Sequence, residues 1–108
     1  MDGTQIDSEA LGRAADEAAE LLKMLSNPAR LRILCALIPG ELSVGELEQA
    51  LGASQSYVSG QLARMRTDGF VAAERDGRTI RYRLNDARLT PVLERLYEVF
   101  CAPNARSA

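Results

Sequence analysis

The stretch from Ser54 to Leu84 constrains the fold most, because it reads as one short helix followed by one β-hairpin. Ser54 is a good N-cap, since its hydroxyl can accept a hydrogen bond from a free backbone N–H of the first turn. The apolar residues that follow recur on one helical face: Val58, Leu62 and Met65. Gly69 ends this helix. Two alternating runs come next, joined at Asp76-Gly77, which is a strong signal for a two-residue hairpin.

Polar and positively charged side chains dominate the rest of this stretch. Opposite its apolar stripe the helix carries Gln55, Ser56, Ser59, Gln61 and Arg64, and the hairpin carries Arg75, Arg78, Arg81 and Arg83. A polar helix beside an arginine-rich hairpin is typical of a winged helix-turn-helix, so we expect DNA binding.

The residues expected to contact DNA follow from that geometry. The recognition helix enters the major groove, where we expect contacts from Ser54, Gln55, Ser56, Tyr57, Ser59, Gln61 and Arg64. We expect the wing to reach phosphates or the adjacent minor groove through Arg75, Arg78 and Arg81. For Tyr57 the alternative is packing inside the domain.

The distribution of charge agrees with this hypothesis, although the net charge of −2 does not suggest it. Residues 1–25 contain six acidic and two basic residues, whereas residues 54–84 contain six arginines and three acidic residues, a local charge of +3. For DNA binding, the local distribution matters more than the sum. The alternative is a solvated hairpin whose arginines serve solubility.

Four further segments predict helices, at about 8–25, 28–38, 44–51 and from 87 or 90 to 101. Asn27 caps the second helix, and Ser43 with Glu46 forms a capping box for the third. Gly52 makes the short turn between the third helix and the recognition helix, which is the helix-turn-helix spacing. We therefore predict a mainly α fold, a single winged helix-turn-helix domain of about five helices and a two-stranded wing over residues 1–108. Residues 1–7 and 104–108 are expected to be disordered.

Apolar stripes mark the predicted inner faces of three helices. The first helix carries Leu11, Ala14 or Ala15, Ala18, Leu22 and Leu25; the second carries Leu31, Leu34, Cys35 and Ile38; the last carries Leu89, Val92 or Leu93, Leu96, Tyr97 and Phe100. A helix such as the first, at the edge of a small domain, is suited to a dimer interface.

Several classes of function are not expected. The chain has no histidine, which excludes Ser/His/Asp and Cys/His catalysis and every histidine-containing metal site. Its apolar runs are too short for a transmembrane helix, and its N-terminus does not read as a signal peptide. We therefore expect a cytoplasmic protein without a cofactor, and not an enzyme.

The two cysteines, Cys35 and Cys101, form no C-x-x-C motif, and a structural disulfide is not expected in the cytoplasm.

Over about residues 21–100 the chain resembles the ArsR/SmtB family of bacterial winged-helix repressors. The resemblance lies in LSNPARLRIL at 25–34, GEL at 45–47, QSYVSGQL at 55–62, GFV at 69–71, DGR at 76–78 and YRL at 82–84. It implies a homodimer that binds an inverted-repeat operator in double-stranded DNA and releases it when an inducer binds. The half-sites of such an operator lie about 34 Å apart, one helical turn.

The resemblance also bears on the inducer. One metal site of the family uses cysteines at positions matching Ser43 and Gly45, and another uses histidines on the last helix. Neither ligand set is present here, so we expect no metal site. The chain is similar to the sulfide-responsive BigR/SqrR-type subgroup, in which a cysteine pair matching Cys35 and Cys101 is bridged by persulfides or polysulfides. That match implies a redox-active dithiol whose bridging weakens DNA binding.

The chemistry of the two thiols leaves alternatives open. A plain disulfide needs Cα atoms within about 7 Å, whereas extra sulfur atoms span a longer gap. Neighbouring leucines are expected to raise the pKa of Cys35, and Arg32 to lower it. The bridge can close within one subunit or between two, and Cys35 alone could be an ordinary core cysteine. Alternatives are a sensor of thiol oxidants, of arsenite or of copper, and a winged-helix protein-interaction module.

Overall fold

Five helices and three short strands follow one another along residues 7–101, which is the part of the chain that the computed structural model describes. They are α1 (Ser8–Leu25), α2 (Pro28–Ala36), β1 (Leu42–Ser43), α3 (Val44–Leu51), α4 (Gln55–Thr67), β2 (Val71–Asp76), β3 (Thr79–Leu84) and α5 (Leu89–Phe100). The prediction of a mainly α winged helix-turn-helix is confirmed. By its internal contacts the chain divides into two units, Met1–Leu31 and Arg32–Ala108, and each is described by itself.

The first unit consists mainly of α1. Asp7 begins this helix, because its carboxylate accepts hydrogen bonds from the backbone N–H groups of Glu9 and Ala10, at 3.0 and 3.3 Å. The prediction of disorder for residues 1–7 and 104–108 otherwise lies outside the described residues. Buried side chains occur only in the last turns of α1, at Leu21, Met24 and Leu25. Most of the predicted stripe is therefore exposed, with Leu11 at 53% and Leu22 at 56%.

The second helix begins as predicted but turns a different face inward. The Asn27 side chain accepts hydrogen bonds from the N–H groups of Ala29 and Arg30, at 2.9 and 3.1 Å. The fully buried side chains here are Ile33, Leu34 and Leu37, whereas Leu31, Cys35 and Ile38 are half-buried. The predicted face was therefore only partly right. The segment is apolar on nearly every side, so its periodicity does not select one face.

The helix-turn-helix is built from local signals that the sequence contains. Ser43 and Glu46 form the predicted capping box at the start of α3. Gly52 ends α3 in the left-handed conformation, with φ of 65°, which glycine adopts without steric cost. Ser54 then caps α4, whose apolar stripe is completely buried: Val58, Leu62 and Met65.

The wing is a three-stranded antiparallel sheet in the order β1-β3-β2, and not the predicted two-stranded one. β1 pairs with β3 so that Leu42 lies opposite Tyr82. Two residues are too few to show alternation, which is why the sequence did not reveal this strand. The hairpin loop is Gly77-Arg78, one residue later than predicted, since Asp76 still pairs with Thr79.

The last helix, α5, covers a core with only part of its apolar face. Leu89 and Leu93 are completely buried, together with Ile33, Leu47 and the stripe of α4. Farther along α5 the apolar side chains are exposed: Tyr97 at 54%, Val99 at 52% and Phe100 at 60%. Within the described residues, no helix is long and apolar enough to cross a membrane.

Candidate nucleic-acid interface and dithiol site

The first turns of α4 present polar side chains to solvent. Gln55, Ser56 and Tyr57 are exposed, with Tyr57 at 45%, so its ring is not packed inside the domain. Ser54 has a structural task, because its hydroxyl accepts a hydrogen bond from the Tyr57 N–H at 3.3 Å. The helix therefore begins with its N–H groups and its positive dipole end beside these side chains, which favours a phosphate.

The remaining predicted contacts of α4 differ in accessibility. Ser59 and Gln61 are half-buried, whereas Arg64 is exposed. A half-buried polar side chain on the reading helix has fewer orientations than an exposed one. Arg64 lies in the last turns of α4, where a positive charge also stabilises the helix C-terminus.

The three predicted wing arginines have different surroundings. Arg75 and Arg78 are exposed, and Arg78 lies in the hairpin loop itself. Arg81 is instead half-buried on β3, with its side chain 28% exposed, and points back to the domain. Arg75 and Arg78 therefore match the expected role of charges directed at phosphates, and Arg81 matches it less well.

Arg81 connects the wing to the start of α3. Its Nε donates to the Glu41 carboxylate at 3.2 Å, and one terminal nitrogen lies 3.3 Å from the Glu46 carboxylate. Glu46 also accepts a hydrogen bond from the Ser43 backbone N–H at 2.9 Å. That backbone hydrogen bond, with Arg81, holds the pKa of the Glu46 carboxyl below its ordinary value. One carboxylate thus joins a helix cap to the wing.

Neither the role of Glu41 nor the contact of Glu46 with Arg81 is evident from the sequence, whereas the contact of Glu46 with Ser43 is. The capping box spans three residues and is visible as a motif, whereas Arg81 lies about forty positions away from Glu41. Only the β1–β3 pairing places Ser43 opposite Arg81. No local sequence signal announces such a contact.

Both cysteines lie in the second unit, and both are free thiols. Cys35 is half-buried on α2, and Cys101 is the exposed C-cap of α5, where its N–H donates to the Tyr97 carbonyl at 2.7 Å. Burial raises the pKa of the Cys35 thiol, and negative charge on Cys101 raises it further. The two sulfur groups are therefore within electrostatic reach of each other.

Arg32 does not have the role expected of it. Of the two opposing effects expected on the pKa of Cys35, the rise caused by burial is confirmed, and Arg32 contributes no lowering. Its guanidinium instead donates to the backbone carbonyl of Leu51, the last residue of α3, at 2.8 Å. This hydrogen bond could not be predicted from the sequence, since a backbone carbonyl acceptor has no sequence signature.

The potential metal ligands are scattered. Among residues 7–101, no three or more cysteine, aspartate or glutamate side chains are grouped so that they could hold a metal ion. The chemistry that the described site offers is that of two free thiols, one half-buried and one exposed.

Comparison with known proteins places the chain among bacterial regulators. Residues 27–73 match the model of the "Bacterial regulatory protein, arsR family". The biofilm growth-associated repressor of Xylella fastidiosa strain 9a5c is 45% identical over 94 residues, 87% of this chain and 82% of that protein.

Two solved structures extend this likeness to the fold. The crystal structure of the transcriptional repressor BigR from Xylella fastidiosa matches with a TM-score of 0.82 and 43% identity, over 90% of this chain and 99% of that one. The homodimeric winged helix-turn-helix DNA-binding domain of Mb0332 from Mycobacterium bovis matches with a TM-score of 0.67 and 29% identity, over 92% and 89%.

Proposed function

Because this chain belongs to the arsR family of bacterial regulatory proteins, we propose that it is a homodimeric repressor that reactive sulfur species release from DNA through Cys35 and Cys101. Its relatives are transcriptional regulators, and the expectation that the chain is not an enzyme agrees with them. A repressor acts where the DNA lies, so the proposed location is the cytoplasm.

The exposed polar side chains of α4 support the proposed contact with DNA. Gln55, Ser56 and Tyr57 read base edges in the major groove, while Arg64, Arg75 and Arg78 contact phosphates. The exposed charges of the wing provide affinity that depends on salt but not on sequence. The polar residues of α4 provide the specificity.

The exposed apolar side chains support the proposed homodimer. A single chain leaves Leu11 and Leu22 of α1, and Tyr97, Val99 and Phe100 of α5, at least half exposed. Exposed apolar groups in this number favour a partner surface. Two reading helices related by a twofold axis require an inverted-repeat operator.

The proposed inducer reaction balances with inorganic tetrasulfide. Each cysteine thiolate attacks a sulfur atom next to a terminal sulfur and displaces hydrosulfide. Two S–S bonds form and two break, and two sulfur atoms remain between Cys35 and Cys101. The thiols lose two electrons and their protons, and the two terminal sulfurs accept the electrons and leave as sulfide.

The surroundings of the thiols suggest an order for these steps. Cys101 is exposed and reacts first, whereas burial keeps the Cys35 thiolate scarce. Once Cys101 carries the polysulfide, its sulfane sulfur is held beside Cys35, and the second step is intramolecular. The observation that carries the proposal is that one unit of the chain holds two free thiols, Cys35 and Cys101, and that charge on the second raises the pKa of the first.

The test is release from DNA by a defined polysulfide. An operator is first selected from a randomised duplex pool by the reduced protein. Reduced protein is then titrated with this DNA before and after sodium tetrasulfide. We expect affinity to fall about five- to a hundredfold, which is the ordinary range of allosteric coupling. Mass spectrometry should show the Cys35–Cys101 bridge with its inserted sulfur.

Single-thiol variants and other inducers complete the test. Cys35→Ser and Cys101→Ser should bind the operator like the reduced parent and stay bound after tetrasulfide. Release of either variant would disprove the two-thiol mechanism. Parallel titrations with hydrogen peroxide, arsenite and copper(I) separate this proposal from sensing of oxidants or thiophilic metals. Release by one of those agents without a response to tetrasulfide would overturn it.

A further inference from the structure

The proposed sensor and the DNA-reading helix lie on different elements, and one hydrogen bond joins the helices that carry them. Cys35 is on α2, and the reading surface begins with Ser54 at the start of α4. Arg32, also on α2, donates from its guanidinium to the Leu51 carbonyl at 2.8 Å. This contact lies entirely within the second unit.

The acceptor, the Leu51 carbonyl, lies at the turn between α3 and α4, where a small shift changes the direction of α4. Leu51 ends α3, so its carbonyl has no hydrogen-bond partner inside that helix. Gly52 follows in the left-handed conformation, and Ser54 caps α4 two residues later. A group that holds the Leu51 carbonyl therefore fixes one side of the turn that sets the direction of the recognition helix.

The donor, Arg32, lies on the same helix as Cys35 and therefore moves with it. Arg32 and Cys35 are three residues apart on α2, so they lie on the same side, one turn from each other. A rotation or shift of α2 that brings Cys35 toward Cys101 moves Arg32 with it. Since the guanidinium also complements the negative end of α3, its loss removes both a hydrogen bond and a favourable charge.

Two other arginines that hydrogen-bond to distant residues make different connections. The guanidinium of Arg30 donates to the carbonyl of Met24, at the end of α1, at 3.3 Å. Arg81 ties the wing to the start of α3 and not to its end. Within the described part of the chain, the hydrogen bond from Arg32 to the Leu51 carbonyl links α2, which carries Cys35, to the turn before α4.

We propose that Arg32 is a positioning residue that transmits bridging of the two cysteines to the recognition helix through its hydrogen bond to the Leu51 carbonyl. The proposal rests on the proposed function, because it takes the dithiol as the input. In the reduced protein the hydrogen bond holds the turn in the orientation that binds DNA. When the bridge forms, α2 shifts and the hydrogen bond is lost or redirected.

The experiment compares coupling, and not only affinity. Coupling is the ratio of the operator dissociation constants of tetrasulfide-treated and reduced protein, measured by fluorescence anisotropy. Arg32→Gln removes the charged donor and keeps a good helix former. We expect its coupling ratio to be about three- to thirtyfold smaller than that of the parent protein, while tetrasulfide still forms the bridge.

The matched control is Arg13→Gln. Arg13 is an exposed arginine of α1, on the side opposite Leu11 and Leu22, so this variant loses the same charge at a position outside the proposed pathway. Its coupling ratio should equal that of the parent protein. An equal reduction in Arg13→Gln and Arg32→Gln would mean that general charge is responsible and would overturn the proposal.

The remaining outcomes distinguish failure of the role of Arg32 from failure of the proposed function on which it rests. If tetrasulfide releases the parent protein and Arg32→Gln equally well, the role of Arg32 is disproved and the proposed function survives. If the parent protein is not released at all, both fail. Should Arg32→Gln not fold, Arg32→Lys serves instead, because it keeps the charge but not the geometry of the guanidinium. An unchanged coupling ratio in Arg32→Lys would then overturn the proposal.

Discussion

The helices α4 and α5 are of similar length, but they treat their apolar residues in opposite ways. In α4 the whole stripe of Val58, Leu62 and Met65 is buried, and polar groups face outward. In α5 only Leu89 and Leu93 are fully buried, while Tyr97 and Val99 remain 54% and 52% exposed. A single chain buries the whole apolar stripe of α4, but it leaves part of the apolar face of α5 exposed. We infer that the reading surface folds by itself, whereas the surface formed by α5 needs another molecule to complete it.

The largest expected effect comes from the incomplete surface. Replacing Tyr97 and Phe100 together by glutamate places charges where we propose that the partner subunit packs. We expect a monomer that binds the operator at least about a hundredfold more weakly, because two linked reading helices gain affinity from avidity. Light scattering gives the mass, and anisotropy gives the affinity.

The control for that variant is Glu94→Lys, a charge change of equal size at an exposed polar position of α5. It should remain a dimer and bind normally. A dimer that persists in the double-glutamate variant would show that the exposed apolar residues of α5 do not form the dimer interface. The inferred difference between α4 and α5 would then be wrong.

A smaller effect separates the arginines of the reading surface. Arg78→Ala should weaken binding to all DNA sequences alike and reduce the salt slope of log affinity by about 1, since one phosphate contact is lost. Arg81→Ala should weaken binding without changing the slope, because Glu41 and Glu46 already neutralise its guanidinium. Titrations over a range of salt concentrations measure both. Equal slopes for the two variants would put Arg81 on a phosphate, as the sequence first predicted.

The smallest effect concerns the end of α5, where Cys101 is exposed while Cys35 is half-buried. Burial is the main cause of the raised pKa of Cys35, and the charge of Cys101 is the lesser one. Cys101→Ser should therefore lower the pKa of Cys35 only slightly, so that its alkylation begins at a somewhat lower pH. The rate of iodoacetamide labelling against pH measures this shift. A pKa that does not move would mean that the two thiols do not interact.

The parts of the fold that were predicted correctly are those with local signals. The caps at Asn27, Ser43 and Ser54, the turn at Gly52 and the stripe of α4 each occupy a few neighbouring residues. The failures are of another kind. The pairing of β1 and the ion pairs of Arg81 join residues about forty positions apart in the sequence. The inward face of α2 is ambiguous because apolar residues occupy nearly every side of that helix.

The candidate site divides in the same way. The polar side chains of α4 follow from helix periodicity, and most of them are exposed as predicted. The proposed pairing of Cys35 with Cys101 came from the family resemblance, because a separation of 66 positions in the sequence carries no information about their distance in space. The hydrogen bond of Arg32 was beyond prediction, since its acceptor is a backbone atom.

The short strand β1 has a consequence for the order in which the molecule folds and opens. The hairpin of β2 and β3 closes across a two-residue loop, whereas Leu42 meets Tyr82 only after forty residues of chain are brought together. Closing such a loop costs more conformational entropy than closing the hairpin, and only two residue pairs between β1 and β3 offset that cost. The β1–β3 seam should therefore form late and be the first part of the sheet to exchange its amide hydrogens. An operator that holds the wing should slow exchange at this seam more than in the buried turns of α4.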